Sequence, residues 1–216
     1  MTKTDMQQPV CGVHYGCGWS APVHWKNFDA SPTLRFERLP VVGSFYTKNK
    51  KRFPKNIEYG DIVKGLPVSP GSVHVVYCSH ILEHLALSDF RTAIQNTFDM
   101  LQPGGTFRFV LPDLEHMMDQ YQRDESPDAA MNFMQNTILG IESRPRGLRA
   151  FLTSWLGNFR HLWMWDYKAI ARELQQVGFV DIRRASYGDS GEPLFEEVED
   201  EGRWTDCLGV ECKKPK

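Results

Sequence analysis

Residues 72–85 read Ser-Val-His-Val-Val-Tyr-Cys-Ser-His-Ile-Leu-Glu-His-Leu. Within them Ser72 to Ser79 is a nearly continuous, valine-rich apolar run, preceded by Pro70-Gly71. A strand covered on both faces reads this way, whereas a half-exposed strand alternates apolar with polar residues. A helix follows. Ser88 is the expected N-cap, and Phe90, Ala93, Ile94, Thr97, Phe98 and Leu101 recur at three- and four-residue steps, one face set against a sheet. Gln102-Pro103-Gly104-Gly105 ends it, because proline cannot continue a helix and glycine accepts the reversed backbone. Thr106 to Leu111 is the next strand, closing at Pro112-Asp113. Strand, helix and strand in that order are the unit of an α/β fold.

The alternation extends both ways from this unit. Toward the N-terminus, Val10 to Tyr15 is a strand that runs into Gly16-Cys17-Gly18-Trp19-Ser20. His24 to Phe28 is a second strand, ending at Asp29, and a weakly helical Thr33 to Leu39 follows it. Ile57 to Gly60 is a third strand, ending at Asp61. Toward the C-terminus, a helix spans Leu114 to Tyr121, and Asp166 caps a last helix that Gly178 closes. Phe179 to Tyr187 and Trp204 to Cys212 are strands with no helix between them, which predicts an antiparallel hairpin added to a parallel sheet. The acidic stretch Glu192 to Glu201 between them is expected to be a solvated connection. In the less regular Gln122 to Trp165, Leu148, Phe151, Leu152, Trp155, Leu156 and Phe159 share a helical stripe flanked by Arg144, Arg146, Arg149 and Arg160. A core-packed helix, a lid, a homodimer contact and a membrane-surface helix are the readings open for that stripe.

Composition narrows the class. The 216 residues are 41% hydrophobic and 24% charged, as in ordinary globular proteins, so disorder and coiled coil are excluded. With 25 basic and 27 acidic side chains, the charge does not call for a nucleic-acid partner. No apolar run has the length of a membrane span, and Met1 to Pro9 lacks a signal peptide's apolar stretch. Cys11, Cys17, Cys78, Cys207 and Cys212 are few and odd in number, which fits free thiols in a reducing, cytoplasmic setting.

In an open parallel sheet, ligands bind beyond the carboxyl ends of the strands. Those ends carry Gly16-Cys17-Gly18, Asp29, Asp61-Ile62, Ser79-His80 and Pro112-Asp113. Alternate glycines let a backbone approach a ligand and present amides to it. A carboxylate after the second strand accepts ribose hydroxyls; one after the third accepts an adenine amine, with Ile62 over the ring. Singly, each aspartate serves equally well as a turn former. The ordered set marks one pocket rim.

On these residues the sequence resembles the class I S-adenosylmethionine-dependent methyltransferases, in particular the type 11 subgroup. The resemblance is carried by Gly16-Cys17-Gly18 with Trp25-Lys26-Asn27-Phe28-Asp29, then by Asp61, Leu66-Pro67 and Ser72, Val76 and Ser79-His80-Ile81-Leu82-Glu83-His84-Leu85. Leu101, Pro103-Gly104-Gly105, Pro112-Asp113, His161 to Asp166 and Gly178-Phe179 continue it. It implies a Rossmann-like, seven-stranded, mostly parallel sheet with helices on both faces and an antiparallel final strand. It also implies S-adenosyl-L-methionine as cofactor, held by Gly16, Cys17, Gly18, Asp29, Asp61, Ile62 and Ser79. Residues 1–216 are then a single domain, with residues 1–9 a flexible N-terminus and residues 122–165 a variable lid that selects the acceptor.

The pattern is broken in two places. His14 stands for the usual acid or asparagine before the glycine turn, and His74 for a frequent aspartate in the fourth strand. In addition, only the seven residues Trp19 to Trp25 separate Gly18 from Lys26, and Pro22 lies among them. They reach about 24 Å when extended, enough to retrace a strand but not to build a helix. The first crossover helix is therefore expected to be missing or reduced to a turn, with that side of the methionine pocket thinly covered.

Methyl transfer is an in-line displacement at a sulfonium carbon, so alignment and exclusion of water matter most. A hydroxyl acceptor also needs a base, for which His80, His84, Asp113 and His116 are candidates, His80 first. A small or medium-sized acceptor is expected, with oxygen slightly favoured over nitrogen. The cations of Lys48 to Lys55 and the arginines of 144–160 favour an anionic or sugar-containing one. Three other readings compete. His80-Ile81-Leu82-Glu83-His84 matches the H-x-x-E-H signature of zinc peptidases, although a third ligand is not evident and no metal is expected. A nicotinamide enzyme also uses a glycine turn, but Ala21 stands where the third glycine would fall. A non-catalytic binding module on the same scaffold is the third.

Overall fold

The computed structural model describes residues 12–40, 43, 52–141 and 160–216. Strands β1 (Gly12–Tyr15), β2 (Trp25–Asp29), β3 (Ile57–Tyr59), β4 (Val73–Ser79), β5 (Leu101–Pro112), β6 (Val180–Ala185) and β7 (Cys207–Lys213) form one sheet. Its order is β3-β2-β1-β4-β5-β7-β6. The first five strands pair in parallel, and β7 runs antiparallel to both β5 and β6. Helices α1 (Pro32–Glu37), α2 (Leu87–Met100), α3 (Leu114–Arg123), α4 (Ala129–Asn136) and α5 (Tyr167–Val177) accompany it. The Rossmann-like architecture expected from the sequence is present. Residues 1–9, expected to be flexible, most of the basic loop and the stripe over residues 148–159 lie outside the described residues.

Side-chain alternation divides the sheet into two faces. Val13, Tyr15, Val76, Cys78, Phe107 and Phe109 enter the main core, where Phe90, Ala93 and Ile94 of α2 and Ile170 and Leu174 of α5 meet them. Asp166 accepts a hydrogen bond from the Ala169 amide and Gly178 adopts φ 109°, so α5 begins and ends where the sequence placed its caps. Helix α2 differs. It starts at Leu87, and Ala86 is its N-cap with no side-chain bond. The 3-10 turn Leu82–His84 has already bent the chain, so Ser88 falls inside the first turn and its carbonyl accepts from Thr92 Oγ1 at 3.0 Å. The Pro103-Gly104-Gly105 run is also absorbed into β5, where Gly104 N donates to the Lys214 and Pro215 carbonyls.

The other face carries the main departure. Residues 16–24 contain turns and no helix, as the short β1–β2 spacing requires. Parallel crossovers are right-handed, and β1→β2 runs across the sheet opposite to β4→β5. A helix there would lie opposite α2. That face is nevertheless well covered: Trp25, Val75, Tyr77 and Val110 pack against Phe195, Val198 and Trp204 of the β6–β7 connection. The β6–β7 connection therefore takes the place of a crossover helix over the middle of that face. Nor is Glu192 to Glu201 a solvated link. It forms the 3-10 turn Pro193–Glu197, pinned by His74 to Glu192 at 2.7 Å and by His24 to Glu197 at 2.8 Å. Trp204 ends the next turn, Glu201–Arg203, rather than opening β7.

His14 points into this second face, its ring 5.4 Å from Tyr77 and 6.3 Å from Trp25, with Nδ1 buried and unbonded. Burial, then the Arg203 charge, lowers its pKa from 6.5 to about 3. Between those values the unfolded chain takes up a proton that the folded chain refuses, so stability falls with pH from 6.5 downward. Between pH 7 and pH 5 the loss is about 2 kcal/mol. Urea midpoints at the two pH values measure it, and His14→Phe is expected to remove that part of the slope.

Candidate active site

Because β1 to β4 are parallel neighbours, their carboxyl ends share one edge. Gly16, at φ 65°, lets the chain leave β1, and Cys17 N donates to Phe28 O at 3.1 Å, which carries the ladder into the turn. Gly18, at φ 56°, has no atom of the other described residues, its chain neighbours aside, within 4 Å of where a Cβ would stand, so the turn is open on that side among the described residues. Burial, then Asp29, pushes the Cys17 thiol up to about 12. It is a buried spacer rather than a nucleophile.

Asp29 ties the turn to β2. Its Oδ2 accepts from Gly18 N at 3.0 Å and its Oδ1 from Ser31 N at 2.7 Å. Burial raises its pKa against those two bonds. A carboxylate offers about four acceptor positions, so two remain for a ribose. At β3, Asp61 Oδ1 accepts from Val63 N at 3.1 Å, and Lys64 lies 3.3 Å from Oδ2. Ile62 is buried in the main core and forms wall, and its carbonyl accepts from Asn96 at 2.7 Å.

At β4 the buried Ser79 meets a residue the sequence reading missed. Arg203 Nη1 donates to Ser79 O at 3.2 Å and to Ser79 Oγ at 3.3 Å. Nothing local in Glu201-Gly202-Arg203-Trp204 marks it, because the contact spans 124 positions. His80 takes φ 55°, a strained value for a non-glycine residue. Its Nε2 faces the Arg203 carbonyl at 2.9 Å and its Nδ1 faces Glu83 Oε1 at 3.3 Å. Burial would lower its pKa, but Cys207, Glu83 and that carbonyl raise it to about 10. Nε2 donates to a carbonyl and Nδ1 faces a carboxylate, so His80 is poorly placed as a base.

Asp113 is occupied as well. It caps α3 through Glu115 N at 2.9 Å and lies 3.4 Å from Arg184 Nη1. His116 bonds Gln120 on the same helix. His84 is placed by Nδ1 on the Arg160 carbonyl at 2.9 Å. The H-x-x-E-H run is one 3-10 turn preceded by a left-handed residue, so its histidines do not share a helix face as the peptidase reading requires. Glu83, the base in that reading, is a buried carboxylate ringed by His80, His84 and His161.

The glycine turn, the two carboxylates and Ser79 thus line one rim, and the open side of Gly18 and the remaining Asp29 acceptor positions fit an adenosyl cofactor. Comparison with known proteins gives the family and the fold. The family model for the methyltransferase domain matches residues 13–183, and the chain belongs to that family. No curated protein matches it. Among solved structures, a chain from the complex between the Haloferax volcanii Trm112 methyltransferase activator and a methyltransferase is 14% identical, covering 99% of this chain and 86% of that one, with TM-score 0.52. A SAM-dependent methyltransferase from Archaeoglobus fulgidus is 11% identical over 96% of this chain and 87% of its own, with TM-score 0.50. These likenesses concern the fold.

Proposed function

We propose that the protein transfers a methyl group from S-adenosyl-L-methionine to an oxygen of a small or medium-sized anionic or sugar-containing acceptor. The observation that carries the reading is the meeting of Gly16–Gly18, Asp29, Asp61 and Ser79 at adjoining carboxyl ends of β1 to β4. In this reading the amides of the glycine turn and Ser79 hold the methionine part, Asp29 the ribose, and Asp61 with Ile62 the adenine. The cofactor supplies an electrophilic methyl on a positive sulfur, so the chain needs mainly to align the acceptor and exclude water. Arg203 places a positive charge beside Ser79, where it attracts an anionic acceptor. An ionised oxygen needs no proton removed, which accords with the engagement of His80 and Asp113 by their own neighbours.

Titration calorimetry with S-adenosylhomocysteine tests the reading. Binding is expected, and Asp29→Ala is expected to weaken it by about 1–3 kcal/mol, the cost of stranding polar groups that had a partner. An unchanged affinity would remove Asp29 from the site. No binding at millimolar ligand would favour a non-catalytic module on this scaffold.

A further inference from the structure

We propose that Glu83, His84 and His161 form a site for one divalent transition-metal ion of the zinc type. The Glu83 side chain is 1% exposed, and although His80 Nδ1 lies 3.3 Å from Oε1, neither carboxylate oxygen accepts a hydrogen bond from the described residues. A carboxylate left in this state is costly, and in native proteins such a group is paired or bound to a metal. His84 Nε2 lies 3.9 Å and His161 Nε2 4.0 Å from Glu83 Oε1, and ligand atoms of the three residues fall within 4.8 Å of one another. Around a tetrahedral ion with bonds of about 2.0–2.1 Å, ligand atoms stand roughly 3.4 Å apart, so small side-chain movements close the site.

The backbone holds these ligands together. The Glu83 carbonyl accepts from Leu162 N at 2.7 Å and from Trp163 N at 3.2 Å, which brings His161 beside the turn although α2, β5, α3 and α4 lie between them in the chain. His84 Nδ1 faces the Arg160 carbonyl, an obligate acceptor, so Nδ1 is the donor there and Nε2 is the nitrogen left to face Glu83. An imidazole fixed through its other nitrogen is the usual support of a metal ligand. Two imidazoles and one carboxylate suit zinc(II) and its neighbours and leave a coordination position open. His84, with its side chain 21% exposed, marks the entry. His80 stands outside the triad and steadies Glu83 from the strand side. Because Glu83 faces His80, the residue that follows Ser79 at the end of β4, the open position would take an acceptor oxygen; that last consequence alone rests on the methyl-transfer reading.

The test uses the full chain without an affinity tag, stripped by chelator and titrated with cobalt(II) alone. One ion per chain with ligand-field absorption in the visible is expected, displaced by zinc(II), which also raises the melting temperature. Glu83→Gln and His161→Ala should each lower cobalt affinity by at least the roughly 100-fold that loss of an outer-shell partner can reach. His84→Ala provides the same readout if Glu83→Gln fails to fold. Absence of a saturating cobalt signal, or variants that bind as the parent does, would overturn the site and leave Glu83 neutralised by its histidines alone. None of these readouts involves S-adenosylmethionine, so failure of the methyl-transfer reading would leave them unchanged.

Discussion

Arg108→Ala is expected to destabilise the protein by about 3–5 kcal/mol, the usual result of removing one partner from a buried ion pair. The Arg108 side chain is 0% exposed. Its Nε donates to Glu199, its Nη1 lies 2.9 Å from Asp189 and 3.1 Å from Glu211, and its Nη2 donates to the Ser186 carbonyl at 2.7 Å. The guanidinium also lies 4.5 Å from the centre of the Trp204 ring. Without it, Glu199, 2% exposed, remains buried without its compensating charge, and Glu211, 10% exposed, keeps only Arg183 at 2.8 Å. Urea unfolding measures the loss, and a cost below about 1 kcal/mol would mean that the β6–β7 connection is held by its apolar contacts instead. The double variant Arg108→Met/Glu199→Gln should recover part of the stability, because it removes both charges together. Acid acts on the same network. Although burial opposes it, Arg183, the Ser186 amide and Arg108 lower the Asp189 pKa from 3.8 to about 2. That contribution is complete above pH 3.8 and is lost as the pH falls toward 2.

The reach of sequence reasoning follows from the range of each signal. The valine run of β4, the spacing of α2, and Asp166 and Gly178 around α5 are local patterns, and the structure follows them. The absent β1–β2 helix was legible because chain length bounds what a segment can span. The β6–β7 connection was not. Glu192, Glu197 and Glu199 resemble a solvated charge run until their partners His74, His24 and Arg108 are seen, each 91 or more positions away. His14 and His74 stood out as departures from the family pattern, and their cause is visible only in three dimensions. His74 anchors the segment that covers the face a crossover helix would have covered, and His14 packs on that same face. The rim residues were legible by position at strand ends. Arg203 and His161 were not, since each reaches its place through a long excursion of the chain.

Gly16→Ala should lower S-adenosylhomocysteine affinity by about 100-fold, or roughly 2.7 kcal/mol, while the protein still folds. Gly16 has φ 65°, and an added Cβ would stand 2.1 Å from Ile81 Cδ1 and 2.2 Å from its Cγ1. Those atoms end a flexible side chain and can move, so the fold bears a left-handed penalty of roughly 1–2 kcal/mol plus some repacking. The turn is less tolerant, because its amides must keep their direction for a ligand to be held by backbone. Two further variants separate these effects. Gly16→Ala/Ile81→Ala relieves the clash and should recover stability without recovering binding; recovery of both would mean that Ile81, not the turn, had blocked the ligand. Gly18→Ala meets no atom of the described residues beyond its chain neighbours within 4 Å. Its cost to folding is therefore only that of its left-handed conformation, and any larger loss of affinity reports space that the ligand itself occupies. If Gly18→Ala and Gly16→Ala both bind like the parent, the glycine turn is no part of a cofactor site and the rim from Asp29 to Ser79 needs another occupant.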